Sequence, residues 1–168
     1  SSAASDVYKR QDGHCDVRGI GVDTWGVDYG LLDRSGSLLG FPYAYRDSRT
    51  AGMMDRAFDK IPREEIYSIT GLQFLQFNTV YQLLNTVQSG TGILGVADRL
   101  LFMPDLFHYL LTGEKTTEYT IASTSQLLDA RQRTWSERIF ETLDIPWHLT
   151  GPIVPPGTRV GSLLDEIG

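Results

Sequence analysis

A short apolar run that ends in an aspartate and a tight turn constrains this chain more than any other feature. Residues 20–22 are apolar, Asp23 follows them, and Trp25 and Gly26 form a turn before a second apolar run over residues 27–32. This pattern predicts two strands joined by a corner at the edge of a sheet. Such a corner presents backbone N–H groups, an aromatic ring and two carboxylates together. These are the groups that a site for a small polyhydroxylated ligand uses.

The composition is that of a globular domain, and it excludes several classes of protein. The 168 residues are 41% hydrophobic and 21% charged, which is ordinary for one domain with its own core. The formal net charge of −6 argues against a nucleic-acid surface. No apolar run is long enough to cross a membrane. Cys15 is the single cysteine, so no internal disulfide forms and a reducing compartment, the cytoplasm, is expected.

Both ends of the chain are expected to be cut from a longer protein. The first methionine is Met53, and residues 1–11 are small and polar. They lack the apolar region of a secretory signal, so we exclude this leader from the fold as non-native. Residues 12–168 then form a partial domain that stops at Gly168 without a closing helix.

Turn and cap residues divide the remaining chain into strands and helices. A turn over residues 33–37 and a third apolar run over residues 41–45 predict an antiparallel meander of three strands, and residues 123–130 are a further candidate strand. Helices are predicted from residue 50 to about Lys60, from Pro62 to Gly71, from Asn78 or Thr79 to about Val87, and from Pro104 to Gly113.

Two neighbouring carboxylates and the turn between them are the first candidates for chemistry. Asp23 and Asp28 could serve a glycosidase or bind Mg²⁺. In the alternative interpretation, Asp23 bonds the backbone of its own turn and Asp28 is a solvent-facing strand residue. Trp25 is either a platform for a ligand or a lid on the core. Gly26 either lets a ligand approach the backbone or supplies a positive φ.

Amides and aromatic rings occur together in residues 73–79. Gln73, Phe77 and Asn78 could bind the polar edge and the apolar face of a sugar. Alternatively, Phe77 packs into the core and Asn78 only caps a helix.

Two arginines, Arg46 and Arg49, stand in residues 45–50. They could hold a phosphate, although ion pairs that brace a helix start are the more common role of such residues. No glycine-rich phosphate loop of the G-x-x-x-x-G-K-[ST] or G-x-G-x-x-G type is present. The three histidines have no ligand spacing, so no metal site is predicted.

Several blocks in one order resemble the FGGY family of carbohydrate kinases over residues 17–161. The blocks are residues 21–28 (GVDTWGVD), 45–50 (YRDSRT), 71–75 (GLQFL), 77–79 (FNT), 103–105 (MPD), 118–120 (EYT) and 122–124 (AST). The resemblance implies an α/β fold: a partial actin-like, ribonuclease-H-like ATPase domain, without the family's first strand and catalytic Asp segment. It also implies a set of substrate-binding residues. They are Trp25, Gly26, Asp28, Gln73, Phe77 and Asn78.

The activity implied by the resemblance is ATP-dependent phosphorylation of a ketose, with Mg²⁺ as cofactor of the full-length parent. L-rhamnulose, converted to its 1-phosphate, is the expected substrate. The alternatives are another ketose such as L-fuculose, or a non-catalytic sugar-binding paralogue. The expected partners are the ketose and ATP, without nucleic acid or membrane. The catalytic base is expected beyond Gly168, so no catalytic, cofactor-binding or metal-binding residue is assigned here and this chain alone is expected to be inactive.

Two residues depart from the family pattern. Gln76 replaces a usual Pro, which is expected to loosen its loop. Ile121 replaces a usual Asn, so the loss of a cap is expected there. Neither departure touches the corner at Trp25 and Gly26, so they bear on fine specificity rather than on the class of reaction.

Overall fold

Short strands and helices alternate along residues 18–167, the part of the chain that the computed structural model describes. The predicted leader and Cys15 lie outside the described residues. The α-helices are α1 (Met53–Phe58), α2 (Arg63–Thr70), α3 (Thr79–Ser89), α4 (Ile93–Val96), α5 (Met103–Thr112), α6 (Tyr119–Ala122) and α7 (Glu137–Thr142). The strands are β1 (Tyr29–Leu32), β2 (Arg99–Phe102), β3 (Thr117–Glu118), β4 (Leu128–Asp129), β5 (Thr134–Trp135) and β6 (Ile153–Val154). Single 3₁₀ turns occur at Ser48–Thr50, Ser123–Ser125 and Trp147–Leu149.

The central pairing joins β1 to β2 in antiparallel register, with Tyr29 opposite Phe102 and Leu32 opposite Arg99. Every residue of β1 is buried. Alternate residues of a strand point to opposite faces, and the two faces of β1 enter two different hydrophobic clusters: Tyr29 and Leu31 lie in the main core, whereas Leu32 packs with residues of β2 and α5. Burial on both faces explains why this segment reads as a continuous apolar run.

The predicted three-stranded meander is wrong. Residues 20–22 and 41–45 form no strand, although the turn between residues 33 and 37 is present. After β1 the chain turns back and pairs with it at a single antiparallel bridge, between Leu38 and Leu32. Pro42 then has no N–H to donate to a ladder. The neighbour of β1 is instead β2, which comes from far along the chain.

The predicted helices are confirmed, and their boundaries follow the cap residues. Helix α2 begins after Pro62, carries Glu64 and Glu65 in its first turn, and ends at Gly71. Acidic side chains near the N-terminus are favourable because the helix dipole is positive there. Helices α1, α3 and α5 likewise occupy predicted segments.

The candidate strand over residues 123–130 is confirmed only at β4. Its first residues form the 3₁₀ turn Ser123–Ser125, and Gln126 then takes a left-handed φ of 63°. A residue in that conformation cannot continue a strand.

Helix α5 packs across the β1–β2 sheet at a glycine. A Cβ on Gly30 would lie 2.9 Å from methyl carbons of both Leu106 and Leu38, which is closer than carbon atoms can approach. Glycine at this position therefore allows the helix to lie directly on the strand.

The other sheets of the described residues have two strands each: β3 pairs with β6 in parallel, and β4 pairs with β5 in antiparallel orientation. None of the helices in residues 18–167 is both long and apolar enough to span a membrane.

A buried carboxyl group connects α5 to β3. Asp105 lies in the first turn of α5 and is fully buried. Its Oδ1 accepts a hydrogen bond from the backbone N–H of Glu118 at 3.0 Å, while its Oδ2 is buried without a partner among the described residues. Burial raises the pKa of Asp105 to about 7; the hydrogen bond from Glu118 lowers this pKa and the charge of Glu118 raises it.

Because its folded pKa is raised, Asp105 is expected to stabilise the fold fully only at low pH, with a loss as the pH rises towards 7. Asp105→Asn keeps the acceptor for Glu118 and carries no charge. The free energy of unfolding of both proteins is measured with denaturant at pH 5 and at pH 8. The difference, variant minus wild type, should be larger at pH 8 than at pH 5 by about 1–3 kcal/mol. Glu114→Gln, at an exposed position after α5, is the control and should show no such difference. Parallel pH dependence of Asp105→Asn and wild type would contradict the assignment.

Candidate functional site

The corner after residues 19–25 is a strained turn centred on Val27. The N–H of Asp28 donates to the carbonyl of Gly26 at 2.9 Å, and Val27 between them has a φ of 69°. An i to i+2 hydrogen bond around a residue with positive φ defines a γ-turn of the rare, strained kind. A β-branched residue in this region costs on the order of 1–3 kcal/mol and persists only where its surroundings enforce it. The positive φ therefore belongs to Val27, and the interpretation that Gly26 supplies it is wrong.

Side chains from two distant segments hold the strained turn in place. The carbonyl of Val27 accepts hydrogen bonds from the Thr79 hydroxyl at 2.7 Å and from the Gln82 amide at 3.2 Å. The N–H of Val27 donates to Oγ1 of Thr124 at 3.3 Å. Both backbone groups of the strained residue are thus satisfied by α3 and by the 3₁₀ turn Ser123–Ser125, and Thr79 and Gln82 are themselves buried.

The carboxylate of Asp28 is buried and accepts three hydrogen bonds. Its Oδ2 accepts from the indole N–H of Trp25 at 2.7 Å and from the backbone N–H of Tyr45 at 3.2 Å. Its Oδ1 accepts from the Gln82 amide at 3.3 Å. Only 2% of Asp28 is exposed, so the interpretation of Asp28 as a solvent-facing residue is wrong. Asp28 orients the corner from beneath rather than presenting its oxygens to solvent.

The hydrogen bond to Asp28 fixes the orientation of Trp25. Its indole nitrogen is tied down, yet 49% of the residue remains exposed. A half-exposed ring with a fixed N–H suits a ligand platform better than a lid on the core.

The second carboxylate of the corner plays no part in this network. Asp23 is exposed, whereas the oxygens of Asp28 are engaged by Trp25, Tyr45 and Gln82. Within residues 18–167 there is no group of three His, Cys, Asp or Glu residues that could hold a metal ion. The arrangement thus offers no support for a glycosidase or Mg²⁺ site built on Asp23 and Asp28.

Gly26 packs closely against Thr124. A Cβ on Gly26 would lie 3.1 Å from Oγ1 and 3.3 Å from Cγ2 of Thr124. The Cβ direction of Gly26 is therefore filled by protein, and any ligand contact at Gly26 would use its backbone.

The loop over residues 72–78 is held by a pair of buried amides. Asn78 donates to the carbonyl of Gln73 at 2.9 Å and to the side-chain oxygen of Gln126 at 3.0 Å. Gln126 in turn donates to the carbonyl of Leu72 at 3.3 Å. Asn78 occupies the N-cap position of α3 without capping it through its side chain, so the interpretation of this side chain as only a helix cap is wrong. Its role here is to fix the shape of the loop.

The predicted loop residues lie in two different places. Phe77 packs edge-on against Tyr45, with ring centroids 5.4 Å apart, and so lies close to the Asp28 network. Gln73 is exposed and lines a cleft with Arg63, Tyr67 and neighbouring residues of α2. In the part of the chain described, no hydrogen bond or ring contact joins Gln73 to Trp25.

The two arginines of residues 45–50 form no salt bridge with a described carboxylate. Arg49 donates to Gln82 at 2.8 Å and stacks over the ring of Tyr43 at 3.9 Å. Arg46 lies over Tyr45 and donates to its hydroxyl. For the described residues, the expectation that ion pairs brace the helix start is therefore wrong. The turn is instead capped by Asp47.

The two departures from the family pattern leave the corner intact. Gln76 is exposed. At Ile121, where loss of a cap was expected, Oε2 of Glu118 accepts the backbone N–H of Ile121 at 3.1 Å and thereby caps α6. The carbonyl of Ile121 also accepts the Thr124 hydroxyl at 2.8 Å, which helps to place that hydroxyl under Val27.

Sequence reasoning missed the residues that position the site. Gln82 could have been found, because it is a polar residue on the buried face of α3, where an unpaired amide would be unfavourable. Gln126 and Thr124 gave no such signal, since their partners lie far away in sequence.

Comparison with known proteins identifies the family. The chain matches the model of the FGGY family of carbohydrate kinases, N-terminal domain, over residues 2–168. The chain belongs to the FGGY family of carbohydrate kinases. It is 47% identical over 143 residues to the rhamnulokinase of Pectobacterium atrosepticum, and 42% identical over 151 residues to that of Bacteroides thetaiotaomicron. These matches cover 85% and 90% of this chain but only 29% and 31% of the two relatives.

Solved structures of FGGY kinases share the fold. A ligand-bound xylulose kinase from Lactobacillus acidophilus superposes with a TM-score of 0.84 at 19% identity, covering 94% of this chain and 32% of that one. Plasmodium falciparum glycerol kinase with ADP also has a TM-score of 0.84 at 19% identity, covering 97% of this chain and 34% of that one. The predicted α/β, actin-like fold class is confirmed.

Asp28→Asn tests the network under this FGGY corner. The new amide would place a donor against the N–H groups of Trp25, Tyr45 or Gln82, so the free energy of unfolding should fall by about 1–3 kcal/mol. Trp25 emission should shift to longer wavelength as the ring loses its anchor. Denaturant titration with fluorescence detection measures both effects. Asp23→Asn is the matched control and should stay within about 0.5 kcal/mol of the wild type; equal stability of the two variants would refute the role of Asp28.

Proposed function

We propose that this chain is the sugar-binding part of an ATP-dependent carbohydrate kinase that phosphorylates L-rhamnulose to L-rhamnulose 1-phosphate. The observation that carries the proposal is the half-exposed ring of Trp25, locked by Asp28 beside the backbone of Gly26. The identity to rhamnulokinases over 85–90% of this chain supports the choice of sugar. We further propose a cytoplasmic location, since the single cysteine suits a reducing compartment.

The geometry of the corner suits a small polyol. The exposed face of Trp25 can pack against the C–H face of a sugar, and the backbone at Gly26 can be approached closely. Phe77 and Tyr45 form a neighbouring aromatic wall on the same network. Asp28 acts beneath the surface, because both its oxygens are already bonded to protein. Asn78 is also buried, and its amide nitrogen donates to Gln73 and Gln126. Of the predicted substrate-binding residues, Gln73 lines a different cleft, beside α2, and its part in binding remains a prediction.

The chain's own residues orient the sugar, and we assign no step of phosphoryl transfer to them. The chain spans 29% and 31% of the two rhamnulokinases compared above, and we assign the contacts to ATP and Mg²⁺ to the rest of a longer protein. The base that accepts the hydroxyl proton is likewise expected beyond Gly168. Positioning and charge stabilisation supply most of the catalysis in phosphoryl transfer, so a part that only binds sugar should be inactive alone.

The function is tested by ADP release from the full-length protein with ATP and Mg²⁺. L-rhamnulose should give a kcat/KM at least about tenfold above L-fuculose and D-xylulose, since one misplaced polar group in a sugar site costs about that much or more. The 168-residue chain alone should release no ADP above a no-sugar control. Preference for L-fuculose would select the alternative kinase. Sugar binding without turnover would select the non-catalytic paralogue, and absence of both would refute a sugar site.

Gly26→Ala tests whether the corner controls sugar use. The added Cβ would press on Thr124 at 3.1–3.3 Å and displace the turn, so the KM for the ketose should rise about tenfold while the KM for ATP stays unchanged. Adding Thr124→Ser should recover part of the loss, because it removes Cγ2 and keeps the Oγ1 that accepts the N–H of Val27. Gly21→Ala is the matched control, since a Cβ there meets nothing within 4 Å. Identical kinetics of the Gly26 and Gly21 variants would exclude Gly26 from the site.

A further inference from the structure

A cavity of about 430 Å³ is lined by Arg49, which is joined to Asp28 through Gln82. It lies between β1, residues 39–43 and the second half of α3, and it continues to the loop before α4. Its volume is within the range of small-molecule sites, roughly 300–1,000 Å³. The lining residues that matter here are Leu39, Tyr43, Arg49, Asn85, Thr91 and Ile93.

Among the described residues that line the cavity, Arg49 is the one that carries a charge. One face of its guanidinium stacks on Tyr43, and one nitrogen donates to Gln82. Its Nε is buried without a hydrogen-bond partner, and no described carboxylate forms a salt bridge with it. A partly buried cation without a carboxylate in direct contact is costly, and Asp28 reaches Arg49 only through Gln82. An oxyanion in the cavity would compensate it, and the planar guanidinium suits phosphate or carboxylate oxygens.

The other walls suit an organic anion rather than a bare ion. The side-chain amide of Asn85 is partly buried and makes no hydrogen bond within residues 18–167, and Thr91 adds a hydroxyl. Leu39 and Ile93 provide apolar surface beside the ring of Tyr43. The chain as a whole has a net charge of −6, so attraction for an anion would come from this local arrangement and not from the overall charge.

The cavity is connected to the corner by three hydrogen bonds in series. Arg49 donates to the side-chain oxygen of Gln82 at 2.8 Å, and the nitrogen of Gln82 donates to Asp28 at 3.3 Å. Asp28 in turn accepts from the indole of Trp25 at 2.7 Å. An anion that binds Arg49 competes with Gln82 for the guanidinium. A weaker bond between Arg49 and Gln82 then alters the hydrogen bonds of Gln82 to Asp28 and of Asp28 to Trp25, because these bonds form one continuous network.

We propose that this cavity is a second binding site, which takes a small organic anion through Arg49 and is coupled to Trp25 through Gln82 and Asp28. The shared chemistry of its ligands is an oxyanion on a short organic body, whether a phosphate ester or a carboxylate. The site is separate from the sugar corner, and its existence does not depend on kinase activity.

The test follows the indole N–H signals of the full-length protein by NMR after ¹⁵N labelling of tryptophan, with Trp25→Phe used to assign Trp25. The probes are propyl phosphate, inorganic phosphate and butyrate, with butyramide as the uncharged comparison, and none of them is a polyol that would suit the sugar corner. Saturable movement of the Trp25 signal is expected with propyl phosphate or butyrate, and none with butyramide. Whichever of the two organic anions binds more tightly identifies the source of the oxyanion, and inorganic phosphate should bind more weakly than the preferred probe.

Asn85→Asp places a carboxylate in the wall of the cavity that Arg49 also lines. It should weaken anion binding at least about tenfold, because like charges in a partly desolvated site repel strongly. Asn85→Ala tests the amide without adding charge and should weaken binding less. Gln132→Glu, at an exposed position outside the cavity, adds the same charge elsewhere and should leave binding unchanged.

The proposal is overturned if no probe moves the Trp25 signal saturably, or if Asn85→Asp and Gln132→Glu bind the anion equally well. Because the readout is binding rather than turnover, a protein that phosphorylates no sugar could still pass this test, and an active kinase could fail it. The result of this test therefore does not decide the proposed kinase function, and the kinase assay does not decide the proposed anion site.

Discussion

The buried carboxylate of Asp28 is the interaction on which the organisation of the site depends. It accepts hydrogen bonds from Trp25, from the backbone at Tyr45 and from Gln82, three segments that are far apart in the chain. Without this carboxylate, the indole N–H of Trp25 and the backbone N–H of Tyr45 would lose their acceptor, whereas the Gln82 amide would keep the carbonyl of Val27. A single acidic group thereby decides how the exposed ring of Trp25 lies relative to the aromatic wall formed by Tyr45 and Phe77.

The apolar core explains why a strained turn survives directly above it. The β1–β2 sheet and α3 are buried and packed together, so they offer rigid positions from which side chains can reach Val27. Thr79 and Gln82 bond the carbonyl of Val27 from one side, and Thr124 bonds its N–H from another. The unfavourable φ is enforced by these contacts, which is the usual condition for strain to persist at a functional site.

Buried side-chain amides connect separate segments of the chain by hydrogen bonds. Gln82 joins the corner to Arg49, and the pair Asn78–Gln126 fixes the loop beside it. An amide can donate and accept at once, so each can bond two segments at the same time. The same property places the corner and the neighbouring cavity on one hydrogen-bond network, because Gln82 contacts both Asp28 and Arg49.

The sequence by itself determined the features that depend on neighbouring residues. Helix α2 ends where Pro62 and Gly71 predict, and the family resemblance in residues 21–28 identified the fold class and the corner around Trp25 and Gly26. These signals are local, because caps, turns and motifs act within a few residues.

Only the tertiary structure decided which segments meet. The strand beside β1 proved to be β2 rather than residues 41–45, since pairing is chosen by burial of the whole sheet and not by nearness in sequence. The sequence left Asp28 open as an exposed or catalytic carboxylate, whereas in the fold its oxygens accept hydrogen bonds from Trp25 and Gln82. The role of Gln126 rests on a partner 48 residues away. Such roles arise from long-range packing, which no local pattern records.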